Sequence, residues 1–513
     1  MNTIRLTHLW VIGILLVSVS CNKELPMNMD IDFDGFSAAD APGGGWKPVL
    51  LASGAHFSIP QPEAIASSGY LKELEDTRLA SNARTKVQTD AVRYWGMHGI
   101  VRWNEIAREL AAKYNMIPAP NADGSYPQPN PNQPEVYPLF PFAHPPYTSR
   151  ALAYLSAAQL DGMIAAWHHM YLHNRPSPVV VDARVTGYFP ETDLPTYPSY
   201  DAVLASISEA ILGEMFPLER DYLASKSAEH KNTLIWSGRH VRSDVDAGDA
   251  LGRQVASLFL ARASTDGFRQ AQGTRASSDS LKNAAINRFG WYWENLEVPQ
   301  RPMGLVPLLG QVRTWCLPDV TLVRPPVPPA PGSPAFLAAV KELEEIAAKR
   351  TVAQRGIANF WSDGLGTYTP PGHWNRLACT KVVSNRLNPL RAARVMAYTN
   401  MAIMDAGIAC WDAKYYYHYP RPSQAVGGFK TILGIPNFPA YTSGHSAFSA
   451  AASETLSYFF PSDAGSLRAW AREAADSRLY AGIHYRFDAD AGIEQGTAVG
   501  RYAVERAKAD GAD

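Results

Sequence analysis

The chain has 513 residues, of which 19% are charged and 39 are proline, and its net charge is −1. That length suits one large domain or two to three ordinary ones. The near-zero charge excludes nucleic acid or an anionic membrane as a bulk partner, so any basic cluster serves a local purpose.

The chain opens MNTIRLTHLWVIGILLVSVSCNKE, in which Arg5 supplies a positive flank and Leu9 to Val19 an apolar run too short to span a bilayer. The run ends Ser18-Val19-Ser20-Cys21. Small residues before a cysteine resemble the lipobox of bacterial lipoproteins. This implies a lipoprotein-type signal peptide over 1–21 and lipidation at Cys21. Ser18 stands where a lipobox has Leu, so ordinary signal-peptide cleavage is the alternative. Either route predicts export, to a bacterial periplasm or as an outer-membrane lipoprotein, with a lipid anchor as the membrane contact.

Residues 22–60, rich in Gly, Pro and Ala, read as a flexible tether. Helical apolar spacing follows at 101–114, 149–171, 200–216, 335–360, 390–417 and 443–460. Pro-rich loops interrupt it at 117–147 and 324–334, and Ser333-Pro334 predicts an N-cap with a first-turn proline. Strand-like alternation is scarce, so the expected fold is all-α, built of helical bundles joined by long loops. Besides Cys21 there are three cysteines. Cys316 and Cys379 lie in Pro-rich, loop-like surroundings and are candidates to pair; Cys410, in a helical pattern, reads as a buried thiol.

The sequence also repeats itself. Residues 195–252 align without gaps on 439–496 at an offset of 244: PTYPSYDA lies over PAYTSGHS, MFP over FFP, and GRHVRSDVDAG over GIHYRFDADAG. Upstream, a two-residue slip sets AAWHHMYLHNRPSP over IACWDAKYYYHYPRPSQ. This predicts two pseudo-symmetric helical halves, 61–325 and 326–513. The second holds Gly444, His445 and Arg478 where the first holds Tyr200, Asp201 and Leu234, and Lys414 has no lysine counterpart. The first half therefore reads as scaffold, its His240 and Asp244 as a solvated structural pair, and the second as the working half.

Three blocks carry the chemistry: Lys414-x6-Arg421-Pro422, Thr442-Ser443-Gly444-His445, and Ser477-Arg478-x5-His484-x3-Asp488. Singly, each is a short word, and a lone His484 reads equally as a hydrogen-bonded structural histidine. Together they supply what an oxyanion needs. Arg421, Arg478 and Lys414 can neutralise its charge. Ser443 and Gly444 open a helix, whose N-terminal N–H groups attract anions. His484 and Asp488, read as i, i+4 on one helix, allow the carboxylate to fix the imidazole tautomer. His445 is a second imidazole for acid or base work.

These blocks resemble the signature shared by type 2 phosphatidic acid phosphatases, bacterial class A acid phosphatases and vanadium-dependent haloperoxidases, KxxxxxxRP, PSGH and SRxxxxxHxxxD, with Thr442 in place of Pro as the one departure. The resemblance implies that His484 is the phosphohistidine nucleophile or the vanadium ligand. It implies that His445 is the general acid or base, and that Lys414, Arg421, Ser443, Gly444 and Arg478 bind equatorial oxygens. A long duplicated helical chain is similar to the haloperoxidase branch, whose chloroperoxidase-like fold has two helical bundles. FPAYTSGH and SRLYAGIHYRFDA look like chloroperoxidase segments, with Trp411 and Phe438 where that branch has aromatics near the halide, although core packing is an equal reading of both. FWSDGLGTYTPPGHWN (360–375) is similar to bacterial haloperoxidase homologues, and its His373 reads as structural. The implied activity is vanadate-dependent oxidation of a halide by hydrogen peroxide, with Lys414 polarising the peroxide. The alternative is a phosphatase acting on a phosphate ester through His484, with phosphate in place of vanadate. A third reading is a non-catalytic anion-binding envelope lipoprotein, which would have no use for His445.

Overall fold

A computed structural model describes residues 39–96, 98–123, 125–190 and 192–513. The expected signal peptide, Cys21 and residues 22–38 of the expected tether lie outside them. The first half comprises α1 (Ser68–Asn82), α2 (Lys86–Gly96), α3 (Gly99–Tyr114), α4 (Pro145–His173), a one-turn α5 (Pro178–Val181), α6 (Tyr200–Met215), α7 (Arg220–Trp236), α8 (Arg242–Thr265) and α9 (Arg275–Phe289). The second comprises α10 (Pro334–Lys349), α11 (Val352–Phe360), α12 (Thr369–Ser384), α13 (Pro389–Tyr417), a one-turn α14 (Pro422–Ala425), α15 (Gly444–Phe459), α16 (Ala464–Ala481) and α17 (Arg486–Lys508). No strand occurs among the described residues, and none of their helices is long and apolar enough to cross a membrane.

Both long helices, α4 and α13, start on a side-chain cap followed by proline and end on a left-handed residue. His144 and Asn388 accept from the backbone three residues on, and Asn174 and His418 close the helices at φ 49°. They are buried along most of their length and pack against each other at the centre. Around them α6, α7 and α8 form one bundle, and α15, α16 and α17 the other.

Buried contacts recur at an offset of 244. Arg150 donates to Asp266 and to the Ala263 carbonyl; Arg394 donates to Asp510 and to the Ala507 carbonyl. Asp161 accepts the backbone N–H groups of Val49, Leu50 and Leu51, and Asp405 accepts those of Trp315, Cys316 and Leu317. Burial pushes both carboxyls up to about 6, against the pull of those N–H bonds.

These contacts correct two expectations. Residues 39–60 are not a tether: Trp46 and Leu51 are buried, and Asp161 clamps 49–51 onto α4. Residues 305–317, expected within the first half, bridge both halves: the N–H groups of Leu308 and Arg313 donate to the Ala271 and Asp266 carbonyls, while the Leu305 carbonyl accepts from Trp411 Nε1 at 3.0 Å. Each half is thus crossed by an irregular strap whose N–H groups end on a buried aspartate of its long helix.

Three smaller expectations also change. The run 335–360 is two helices, because Thr351 and Gln354 form a capping box that starts α11. The helix bounds need no slip, since α4 and α5 both begin 244 residues before α13 and α14. Arg421 therefore stands opposite Ser177 and not Arg175. Cys316, Cys379 and Cys410 are free thiols. Cys379 lies inside α12 with its sulfur 3.4 Å from Arg108 Nη1, whereas Cys316 sits on the strap held by Asp405.

Candidate active site

Four chain ends and turns of the second bundle converge. The last turn of α13 carries Lys414, fully buried, whose Nζ donates to the carbonyls of Pro439 (2.8 Å), Ala440 (3.0 Å) and Thr442. All three ammonium hydrogens are so engaged, and Lys414 therefore acts on the site through its charge. Arg421 caps the one-turn α14; its Nε donates to the Phe438 carbonyl at 2.9 Å and its Nη1 to that of Ile483 at 2.7 Å, with His484 Nε2 3.4 Å away. Arg478, in the last turn of α16, donates from Nε to Ser477 Oγ at 2.9 Å and from Nη2 to the Ala358 carbonyl at 3.1 Å.

Gly482 ends α16 at φ +77°, a left-handed turn in which the Ile483 N–H closes on the Arg478 carbonyl. The chain then reverses before Tyr485 caps α17. His484 is consequently not on a helix, contrary to the i, i+4 reading. Asp488, three residues past the cap, binds both the Tyr485 N–H and His484 Nδ1, each at 3.0 Å. The expected His–Asp contact forms, but through a capping box. Nδ1–H donates to the carboxylate, which leaves the lone pair on Nε2.

Ser443 is the N-cap of α15, its N–H donating to the Asp488 carbonyl at 2.9 Å, and Gly444 and His445 open the helix. A Cβ on Gly444 would come no nearer than 3.6 Å to Trp411, an ordinary packing contact. The carbonyls of Ser362 and Trp361 lie near His445 and pull its pKa upward against burial, while its Nε2 is buried without a partner. The 360–375 stretch thus flanks His445. His373 is structural in geometry, stacked on Trp361 at 4.5 Å with Nδ1 3.1 Å from Asp363. Sequence reasoning missed Asp363, whose charge acts on Arg478, and the Ala358 carbonyl; backbone acceptors leave no sequence signal. Trp411 and Phe438 pack at 4.8 Å, and the Phe438 ring lies 5.0 Å from Lys414 Nζ and 5.1 Å from Arg421 Cζ.

The electrostatics are unbalanced. Lys414, Arg421 and Arg478 are each at most 1% exposed, and among the described residues none pairs with a carboxylate within ion-pair distance. Burial lowers Arg421 to about 9 and Arg478 to about 10, and lowers Lys414 as well. Burial and the neighbouring cations hold both His484 and His445 well below the usual imidazole range, so both rings are neutral. Burial also raises Asp488, against the pull of the Tyr485 N–H and of Lys414 and Arg421. Buried cations that feel Asp488 and Asp363 only at a distance, with no carboxylate in contact, are costly unless an anion completes them.

The corresponding place in the first half balances itself. The Asp201 carboxylate lies 3.6 Å from His230 Nε2 and 3.7 Å from Arg239 Nη1, and Arg239 also donates to Tyr200 Oη at 2.7 Å. Asp244 is taken by Arg175 at 2.8 Å, leaving His240 Nδ1 3.8 Å away and without a hydrogen bond. His240 and Asp244 are 2% and 0% exposed, so they are not the solvated pair expected; Asp244 anchors Arg175 and the start of α8.

Comparison with known proteins agrees with this geometry. Residues 394–509 match the family model of the PAP2 superfamily. Among solved structures, a bacterial vanadium-dependent iodoperoxidase superposes with a TM-score of 0.58 at 21% identity, covering 79% of this chain and 95% of that one. The holo form of a bacterial vanadium-dependent chloroperoxidase gives 0.53 at 16% identity, covering 75% of this chain and 96% of that one. No curated protein matches the sequence. Residues 394–509 thus carry the PAP2-superfamily pattern, and the fold of the chain is that of the vanadium-dependent haloperoxidases.

Proposed function

We propose that the second bundle binds vanadate and that the protein is an exported vanadium-dependent haloperoxidase. The observation carrying this reading is the set of three buried cations with no carboxylate in ion-pair contact, beside a neutral His484 whose Nε2 lone pair meets only a long 3.4 Å contact from Arg421 Nη1. The donor set fits a tetrahedral or trigonal-bipyramidal oxyanion. Arg421 and Arg478 would grip oxygens as planar forks, the N–H groups opening α15 would add helix-terminus donors, and Lys414 would add charge. His484 Nε2 would hold the central atom, and Asp488, fixed by the Tyr485 N–H, keeps the imidazole in that tautomer. Bound vanadate would supply a Lewis-acid centre that activates hydrogen peroxide toward halide. His445, neutral with Nε2 unpartnered, would take the proton that peroxide gives up at that nitrogen. Trp411 and Phe438 would wall the halide side.

The experiment is a bromination assay with vanadate, peroxide and bromide, run beside phosphate-ester hydrolysis without vanadate. Vanadate-dependent bromination is expected. Hydrolysis alone would move the same residues to phosphatase chemistry, with His484 Nε2 attacking phosphorus and His445 protonating the leaving group.

A further inference from the structure

Apart from the oxyanion site, the fold has an open-mouthed cavity of about 400 Å³, within the range of roughly 300–1,000 Å³ common to small-molecule sites. Its walls come from the Pro-rich segment between α3 and α4, the start of α4, the α6–α7 turn, residues 268–273 and 301–306, and Asn437. Four rings, Phe140, Phe142, Tyr147 and Phe268, form its apolar lining.

Two polar atoms of this lining are buried without a partner, Asn437 Oδ1 and Tyr126 Oη. Asn437 is 2% exposed, and its amide nitrogen is already committed to the Met303 carbonyl at 2.9 Å. Its oxygen therefore asks for a donor. At the rim the half-exposed Arg269 and the exposed Arg220 share one carboxylate, Glu214, at 3.3 and 4.0 Å. Arg301 and Arg150 are matched by Glu297 and Asp266. The rim thus carries excess positive charge.

We propose that this cavity binds an anionic phenol: an aromatic ring between the four ring faces, a hydroxyl donating to Asn437 Oδ1, and a carboxylate at Arg220 and Arg269. Asn437 immediately precedes Phe438, whose carbonyl accepts from Arg421, so the polar contact of the cavity and a contact of the oxyanion site are neighbours in the chain. The phenol's role as organic substrate rests on the haloperoxidase reading; its binding does not.

The test is calorimetric titration of the full chain with 4-hydroxybenzoate, without vanadate or peroxide. Saturable one-to-one binding is expected, with benzoate roughly tenfold weaker for want of the hydroxyl donor, a loss of about 1.4 kcal/mol. Arg220→Gln with Arg269→Gln should weaken binding about tenfold or more, and Asn437→Leu should abolish the preference for the phenol. The two arginines lie at the surface, so their variant keeps the fold even if the Asn437 variant does not. No saturable binding, or wild-type affinity in the double arginine variant, overturns the proposal. Binding that stands while bromination fails overturns only the haloperoxidase reading.

Discussion

Replacing Arg478 with Met separates the cost of the site from its use. Burial lowers this guanidinium from 12.5 to about 10, and at about 1.4 kcal/mol per pKa unit the charge costs about 3 kcal/mol to hold. Met keeps an apolar stem and removes the charge. It also gives up the guanidinium's bonds to Ser477 Oγ and the Ala358 carbonyl, at about 1.5–3 kcal/mol each. Set against the cost of about 3 kcal/mol, the anion-free variant should lie between wild-type stability and about 3 kcal/mol below it. Its oxyanion would lose one charge-assisted partner, about 1.5–3 kcal/mol, or roughly 10- to 150-fold in Kd. Thermal unfolding with and without orthovanadate reads both effects. At a hundredfold over Kd, wild type gains about 2.7 kcal/mol; the variant should start no higher and gain less. A variant that is stabilised by vanadate as fully as wild type would refute the reasoning.

Other expectations follow from the same contacts. Arg421, held at about 9 against an ordinary 12.5, is protonated more readily in the unfolded chain, so the anion-free protein gains stability as pH rises through about 9 to 12. Phosphate or vanadate affinity should fall over the same rise, because the bound form needs that proton; titration at stepped pH checks it, and constant affinity would contradict it. Asp488→Asn should lower activity roughly 10- to 100-fold by loosening the His484 tautomer, and wild-type turnover would show the carboxylate to be idle. Asp201→His should add no second vanadate per chain, since the cationic positions are missing from the first half; a stoichiometry of two would contradict that. Cys21→Ser should move the expressed protein from the membrane to the soluble fraction if the lipoprotein reading holds.

The candidate site of the second half was legible because its residues sit in short words with fixed spacing. Lys414, Arg421, Ser443, Gly444, His445, Arg478, His484 and Asp488 all come together. The helix starts at Ser333 and Asn388 were written in local caps, and α13 in its apolar run. Long-range matters were not visible. Residues 49–51 look like linker until Asp161, more than a hundred positions away, takes their N–H groups. The His484 spacing suggested a helix face, but Gly482 ends one helix and Tyr485 caps the next. The Thr351 and Gln354 capping box was present as a local signal and was overridden by the apolar periodicity around it. The contrast between halves sharpened most. In the first, Asp201 and Asp244 stand in ion-pair contact with Arg239 and Arg175; in the second, among the described residues no carboxylate comes within ion-pair distance of the three cations, and Asp488 and Asp363 act on them only from farther off.

That imbalance is the central claim, and equilibrium binding of orthovanadate to the purified protein tests it most directly. Wild type should bind one vanadate per chain, displaced competitively by phosphate, and His484→Ala should lose that site while keeping its fold. Undiminished binding in His484→Ala, or none in wild type, would contradict the account.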